Sequence, residues 1–154
     1  MIRQVHKNLL DADEKVIVQQ VNHRGVMGAG LALQLKKKYP KMLEGYVEVC
    51  KKWSWEYCKE FGLVYFYDAP DGKKVANLFG QDTYGWNAAL TDYLAVENGM
   101  KTINRYCFDN GVSVAIPFGM GCGLGGGDWN RVLQIILDTH SEYENDFDIV
   151  IHKL

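Results

Sequence analysis

The chain has 154 residues, 47% of them hydrophobic, and its 17 basic and 19 acidic side chains leave a net charge of −2 at pH 7. That length suits a single domain over residues 1–154 with a real core, and the charge balance excludes a general attraction to nucleic acid or to an anionic membrane. Cys50, Cys58, Cys107 and Cys122 form no C-x-x-C pair and have no zinc-like spacing with His6, His23, His140 or His152, so no metal and no cofactor is expected and the thiols read as reduced, in a cytoplasm.

The opening MIRQVHKNLL is too polar for a signal peptide, and no apolar run approaches membrane-spanning length. Residues 2 to 6 alternate weakly, and KVIVQQVN (15 to 22) has the β-branched density of a buried strand that ends at Asn22. His23 to Gly30 is a glycine-containing loop opening a helix through Leu31, Ala32, Leu35 and Tyr39, which Pro40 interrupts. A second helix follows from Lys41 to Lys52. GLVYFY (62 to 67) and KKVANLF (73 to 79) read as a hairpin closed by APDG. Leu90, Tyr93, Val96, Met100, Ile103 and Cys107 repeat at helical spacing, stopped by Asp109-Asn110-Gly111. Val112 to Pro117 is a strand feeding a glycine loop; Trp129, Val132, Leu133, Ile136 and His140 mark the next helix, and DIVIHKL is a closing strand. Strands separated by helices predict an α/β layered domain with a mixed sheet, whose ligands sit at strand C-terminal ends.

Both glycine loops follow strands in that direction. Phe118 to Asp128 reads FGMGCGLGGGD, with six glycines. A tight turn needs one or two, so six argue for an anion cradle built from loop and helix N–H groups. The loop fits neither G-x-x-x-x-G-K-[ST] nor, so near the end of the chain, a dinucleotide fingerprint. The first loop, Asn22 to Gly30, reads alone as a connector with capping glycines; paired with the second it makes a two-sided clamp suited to a diphosphate. Asn22 offers a donor and an acceptor for a sugar hydroxyl or a water. His23 is a candidate acid or base, against the plainer role of a bystander. Asp128 stands at a helix N-cap position and is alternatively a carboxylate polarising water. Cys122 lies within the cradle without a visible partner for nucleophilic catalysis. Lys36-Lys37-Lys38 reads as a solvated helix face, and Trp53, Trp55 and Trp86 as core or rim, with an aromatic near Tyr84-Gly85-Trp86 placed to cover a base or ribose.

The pairing of VIVQQVNHRGVMGAGLALQLKKKYP with VAIPFGMGCGLGGGDW, in this order and before a closing strand, resembles the macrodomain family, which binds ADP-ribose. ANLFGQDTYG is similar to the branch of small bacterial and phage macrodomains related to ADP-ribose 1″-phosphate processing enzymes and terminal ADP-ribose glycohydrolases. The resemblance implies a three-layer α/β/α fold with a central mixed sheet and an ADP-ribose cleft across the sheet's C-terminal edge. It places adenine near Asn8 and Leu9, and the distal ribose near Asn22 with Gln81 and Tyr84 flanking it. The diphosphate would lie between Met27, Gly28, Ala29, Gly30 and Leu31 on one side and the loop from Pro117 through Gly119, Met120, Gly121, Cys122, Gly123, Leu124 and Gly125 on the other. Two departures disfavour a lysine-adduct mechanism: Gly125 stands where those glycohydrolases carry an aspartate, and Gly80 or Gln81 where they carry a lysine. The leading expectation is hydrolysis at C1″ of ADP-ribose 1″-phosphate or of an ADP-ribosylated protein, by a water held by Asn22, His23 or a substrate phosphate, with Asp128 assisting. The alternative is a non-catalytic ADP-ribose reader. Binding of another nucleotide or a nucleic-acid end is disfavoured by the acidic balance.

Overall fold

A computed structural model describes residues 1–85 and 88–154. Trp86, named above as a covering aromatic, lies outside the described residues. Among those residues six strands, β1 (Ile2–His6), β2 (Val16–Val21), β3 (Val64–Asp68), β4 (Lys74–Phe79), β5 (Val114–Pro117) and β6 (Ile149–Lys153), form one sheet in the order β1-β6-β5-β2-β4-β3. The β3–β4 pair is antiparallel and the other neighbouring pairs are parallel. The helices are α1 (Gly30–Lys38), α2 (Met42–Lys52), α3 (Trp55–Phe61), α4 (Tyr93–Asn110) and α5 (Trp129–His140).

The period of two along a strand assigns the layers. Val16 and Val18 of β2, with Ala76 and Leu78 of β4, pack under Val96, Met100 and Ile103 of α4 and Val132 and Ile136 of α5. On the opposite face, Val21, Val75 and Phe79 pack against Leu35 of α1, Met42 and Tyr46 of α2 and Cys58 of α3. Ile17 and Ala115 meet Leu9, Ala12 and Leu31. Covering both faces explains why VIVQQV is apolar without strict alternation. The result is the three-layer α/β/α arrangement. No helix among the described residues is long and apolar enough to cross a membrane.

Two elements differ from the sequence reading. Helix α3 was not anticipated: it has two turns, begins on Ser54, whose hydroxyl accepts the Tyr57 N–H, and stops at Gly62 in the left-handed region. Helix α4 starts at Tyr93, not near Leu90, because the Asp92 carboxylate caps it by accepting the Ala95 N–H, while the Leu90 N–H bonds to the Gly125 carbonyl.

Asn104 on α4 is fully buried, and neither polar atom of its side chain has a partner among the described residues. An unpaired buried amide costs about 1–3 kcal/mol, so Asn104→Leu, of similar volume, is expected to raise stability by about 1–2 kcal/mol in urea denaturation.

Candidate functional site

A cleft of about 640 Å³ opens at the C-terminal ends of β2 and β5, between the N-terminus of α1 and the loop after Pro117. Asn22, Gly28 to Leu31, Gln81, Tyr84, Pro117, Gly119, Met120, Gly121 and Gly123 to Gly125 all line it. The fold therefore brings the two glycine loops to one cavity.

The first loop is tied down from behind. The Asn22 side chain donates to the Val26 carbonyl (2.9 Å), and its Oδ1 accepts the Arg24 N–H (2.9 Å). The Tyr46 hydroxyl lies 2.6 Å from the Asn22 carbonyl and 2.8 Å from its Oδ1. Tyr46 is fully buried, and burial raises its pKa, which keeps the donor proton in place. Asn22 thus closes its own loop and forms part of the cleft wall. Tyr46→Phe, which deletes this bond at nearly constant volume, is expected to cost about 1–2 kcal/mol in urea denaturation. Met27 is 2% exposed and anchors the loop in the core below. Beyond it α1 starts on Ala29 with no side-chain cap. Among the described residues the N–H groups of Gly28, Ala29, Gly30 and Leu31 have no protein acceptor. An uncapped helix N-terminus opening on a cavity carries the positive end of the helix dipole.

The second loop presents the same chemistry from the other side. The carbonyls of Pro117, Gly119, Gly123 and Gly121 accept N–H groups of Met120, Cys122, Gly126 and Gly127, respectively. Among the described residues the N–H groups of Gly121, Gly123, Leu124 and Gly125 are left without a protein acceptor. The described residues lining the cleft include no Asp, Glu, Lys, Arg or His. Its attraction for an anion therefore rests on neutral donors, foremost the backbone N–H groups of the two loops.

Several sequence-predicted residues stand outside this lining, each for a physical reason. The His23 ring is turned away: Nε2, as the protonated nitrogen, donates to the Trp53 carbonyl at 2.6 Å, and the ring packs edge-on to Phe79. Asp128 is exposed and caps α5 by accepting the Asn130 N–H at 2.9 Å, which is the structural of its two expected roles. Cys122 points its thiol at the Met120 carbonyl (3.3 Å), and burial, then the Asp128 charge, raises its pKa, so a thiolate is disfavoured. Asn8 caps a short turn by accepting the Leu10 N–H at 3.0 Å, and Leu9 is 5% exposed against Ile17 and Ala115. Gln81 does line the cleft, with its amide engaged at both ends: Oε1 accepts from Gln20 and Nε2 donates to the Thr83 carbonyl.

The sequence reading also missed wall residues. Gln19 and Gln20 line the cleft, and Gln19 donates to Asn77 at 2.7 Å within the sheet. Two amides at the end of an otherwise β-branched strand were the available signal. Val26 and Phe118, which were not expected, and Tyr84 and Leu124, which were, are large, exposed apolar side chains that line the opening. Phe118 packs on Trp129 at 5.0 Å, with the Lys153 ammonium 4.4 Å from its ring centroid.

Residues 18–136 match the Macro domain family. The chain belongs to the macrodomain family. This macrodomain is 34% identical over 148 residues to a DNA ADP-ribosyl glycohydrolase of Mycobacterium tuberculosis, an alignment covering 94% of this chain and 40% of the relative. A relative of the same name from Thermus aquaticus is 32% identical over 142 residues, covering 90% of this chain and 38% of its own length. An ADP-ribose 1″-phosphate phosphatase of Candida glabrata is 28% identical over 83 residues, covering 52% of this chain and 46% of the relative. The macrodomain thus spans well under two thirds of the length of the curated relatives it matches. Among solved structures, the macrodomain of Mycobacterium tuberculosis DarG superposes with a TM-score of 0.82 at 30% identity, covering 99% of this chain and 97% of that one.

Proposed function

We propose that this macrodomain binds ADP-ribose and hydrolyses a bond at C1″ of the distal ribose, with the diphosphate held between the α1 N-terminus and the Gly119–Gly125 loop. The observation that carries the reading is the pair of loops on one cleft, each with a run of N–H groups lacking protein acceptors and neither with a charged side chain in the wall. A diphosphate supplies the acceptors those groups need. The exposed apolar rim of Val26, Tyr84, Phe118 and Leu124 suits the ring systems at the two ends of such a ligand. The relatives' names support hydrolysis, since they include DNA ADP-ribosyl glycohydrolases and an ADP-ribose 1″-phosphate phosphatase. They also bring in DNA as a carrier of the ADP-ribosyl group. Recognition confined to the cleft needs no excess of positive charge over the whole chain.

In the reaction a water attacks C1″, the bond to the phosphate or macromolecular group breaks, the leaving oxygen or nitrogen takes the departing electron pair, and the proton lost by the water ends on that leaving group or in solvent. With His23 and Asp128 outside the cleft, this chain's contribution is to position the sugar against Asn22 and to stabilise negative charge with loop N–H groups. A lysine adduct has no support here, because the described lining residues include no lysine and Gln81 offers an amide in place of a nucleophilic amine. The second reading is a non-catalytic reader, favoured by the same absence of a titratable side chain among the described lining residues.

Phosphorus NMR with ADP-ribose 1″-phosphate, paired with release of ADP-ribose from an ADP-ribosylated oligonucleotide and an ADP-ribosylated protein, separates these readings. Turnover of any of the three at sub-stoichiometric protein identifies the hydrolase and its leaving group. Shifted diphosphate signals with no turnover leave the reader. Unshifted signals at millimolar protein sink ADP-ribose as the ligand.

A further inference from the structure

Beneath the glycine loop lies a small polar hub that the cleft itself does not explain. Gln20 on β2 donates through Nε2 to Gln81 Oε1 and to Thr91 Oγ1, both at 2.9 Å. Thr91, 9% exposed, uses its one hydroxyl proton on the Gly121 carbonyl at 2.6 Å. That carbonyl also accepts the Gly127 N–H at 2.8 Å. The N–H groups of Leu90 and Thr91 converge on the Gly125 carbonyl at 2.8 and 2.9 Å. Proton donation therefore runs one way, from the Gln20 amide to the Thr91 hydroxyl to the loop.

The glycines divide accordingly. A Cβ on Gly121 would stand 2.6 Å from Gln20 Oε1 and 3.0 Å from Thr91 Oγ1, and one on Gly125 would stand 2.7 Å from both Thr91 Oγ1 and the Gly121 carbonyl. A Cβ on Gly119 or Gly123 would meet nothing within 4 Å. Part of the glycine run therefore makes room for the hub and part faces open space. The Gly121 and Gly125 carbonyls share their peptide planes with the N–H groups of Cys122 and Gly126, so drawing them to the hub pins a plane at each end of the stretch that holds the N–H groups of Gly123, Leu124 and Gly125, which have no protein acceptor among the described residues.

We propose that Thr91 is a positioning residue for the anion cradle: without touching the ligand, its hydroxyl fixes the loop in the conformation that binds the diphosphate. This deepens the ADP-ribose reading and rests on it. Thr91 is not among the residues lining the cleft, so any effect on the ligand passes through its hydrogen-bonded partners Gly121, Gly125 and Gln20, which do line it.

The test compares Thr91→Val, Thr91→Ser and a control, Thr102→Val. The control removes an equivalent hydroxyl bond to a glycine carbonyl, Thr102 to Gly62 at 2.6 Å, which joins α4 to the end of α3. Calorimetry with ADP-ribose reads affinity, a thermal melt reads stability, and amide NMR reads the loop N–H groups without ligand. Thr91→Val is expected to weaken ADP-ribose binding about tenfold, the loss of one oriented hydrogen bond, and to shift the amide signals of Gly121 to Gly125. Thr91→Ser should stay within about twofold of the parent, while Thr102→Val lowers the melting temperature and leaves affinity alone. Equal affinity losses for Thr91→Val and Thr102→Val would overturn the proposal, because both would then be acting through stability. Parent-like affinity and loop signals in Thr91→Val would overturn it too. If the parent protein fails to bind ADP-ribose, the ligand reading falls, and the ligand-free amide signals still decide whether Thr91 sets the loop: shifted signals in Thr91→Val alone uphold its positioning role, and unshifted ones end it.

Discussion

Gly123→Asp is expected to abolish ADP-ribose binding in a protein that remains folded. Gly123 lines the cleft, and a Cβ placed on it meets no atom within 4 Å. Its backbone is outside the left-handed region that favours glycine, so an L-residue fits there without strain. The melting temperature should move by no more than about 2 °C, as for a surface substitution. The ligand sees a different change. A carboxylate about 5 Å from a phosphate, at an effective dielectric constant near 20, repels it by about 3 kcal/mol per charge. That alone weakens binding at least about 100-fold, before the side chain's bulk is counted. Calorimetry at low and moderate salt checks both parts: the charge contribution shrinks with salt and the steric one does not. Gly123→Asp binding within tenfold of the parent would show that this loop is not the diphosphate's cradle.

A large stability loss from a single methyl group is expected at Gly62. Gly62 and Gly111 both end helices in the left-handed region, with φ of 61° and 62°. Alanine at either site takes on the left-handed penalty of about 1 kcal/mol. At Gly111 nothing lies within 4 Å of the added Cβ, and the penalty ends there. At Gly62 the Cβ would sit 2.2 Å from the Asn98 carbonyl oxygen and 2.9 Å from Thr102 Oγ1. Backbone on α4 must move to relieve that contact, which also loosens the Thr102 bond to the Gly62 carbonyl. Gly62→Ala should therefore cost about 3–4 kcal/mol and Gly111→Ala about 1 kcal/mol in guanidinium denaturation. Equal losses would mean that α3 is free to shift away from α4.

What the sequence made legible was local. The β-branched run from Val16 to Val21, the APDG hairpin turn, the glycine stops at Gly111 and the crowded glycines after Phe118 each carry their signal within a few residues. They placed the sheet, four of the five helices described and both walls of the cleft. Long-range and directional features stayed hidden. The Gln20–Thr91 bond joins residues 71 positions apart, and nothing in either segment announces the other. Side-chain direction decided the fate of His23, which packs against Phe79 and bonds Trp53 instead of entering the cleft it borders in sequence. Asp128 follows the same logic: its carboxylate caps α5, and the residue is not among those lining the cavity. Helix α3 was too short to show periodicity, and its Trp55 read only as core or rim.

A cleft that attracts its ligand through the main chain has an unusual mutational profile. Deleting the side chains of Leu31, Met120 or Leu124 from its two loop walls removes no hydrogen-bond donor, since the alanine variant keeps the same N–H group. Alanine at those three positions would therefore return a nearly blank map of the polar contacts. Only substitutions that add atoms, or that turn a peptide plane, reveal it. The same feature frees the wall side chains to diverge in evolution while the binding surface stays constant. The N–H groups also do not titrate near neutrality, so the protein's half of the interaction is the same at pH 5 as at pH 9.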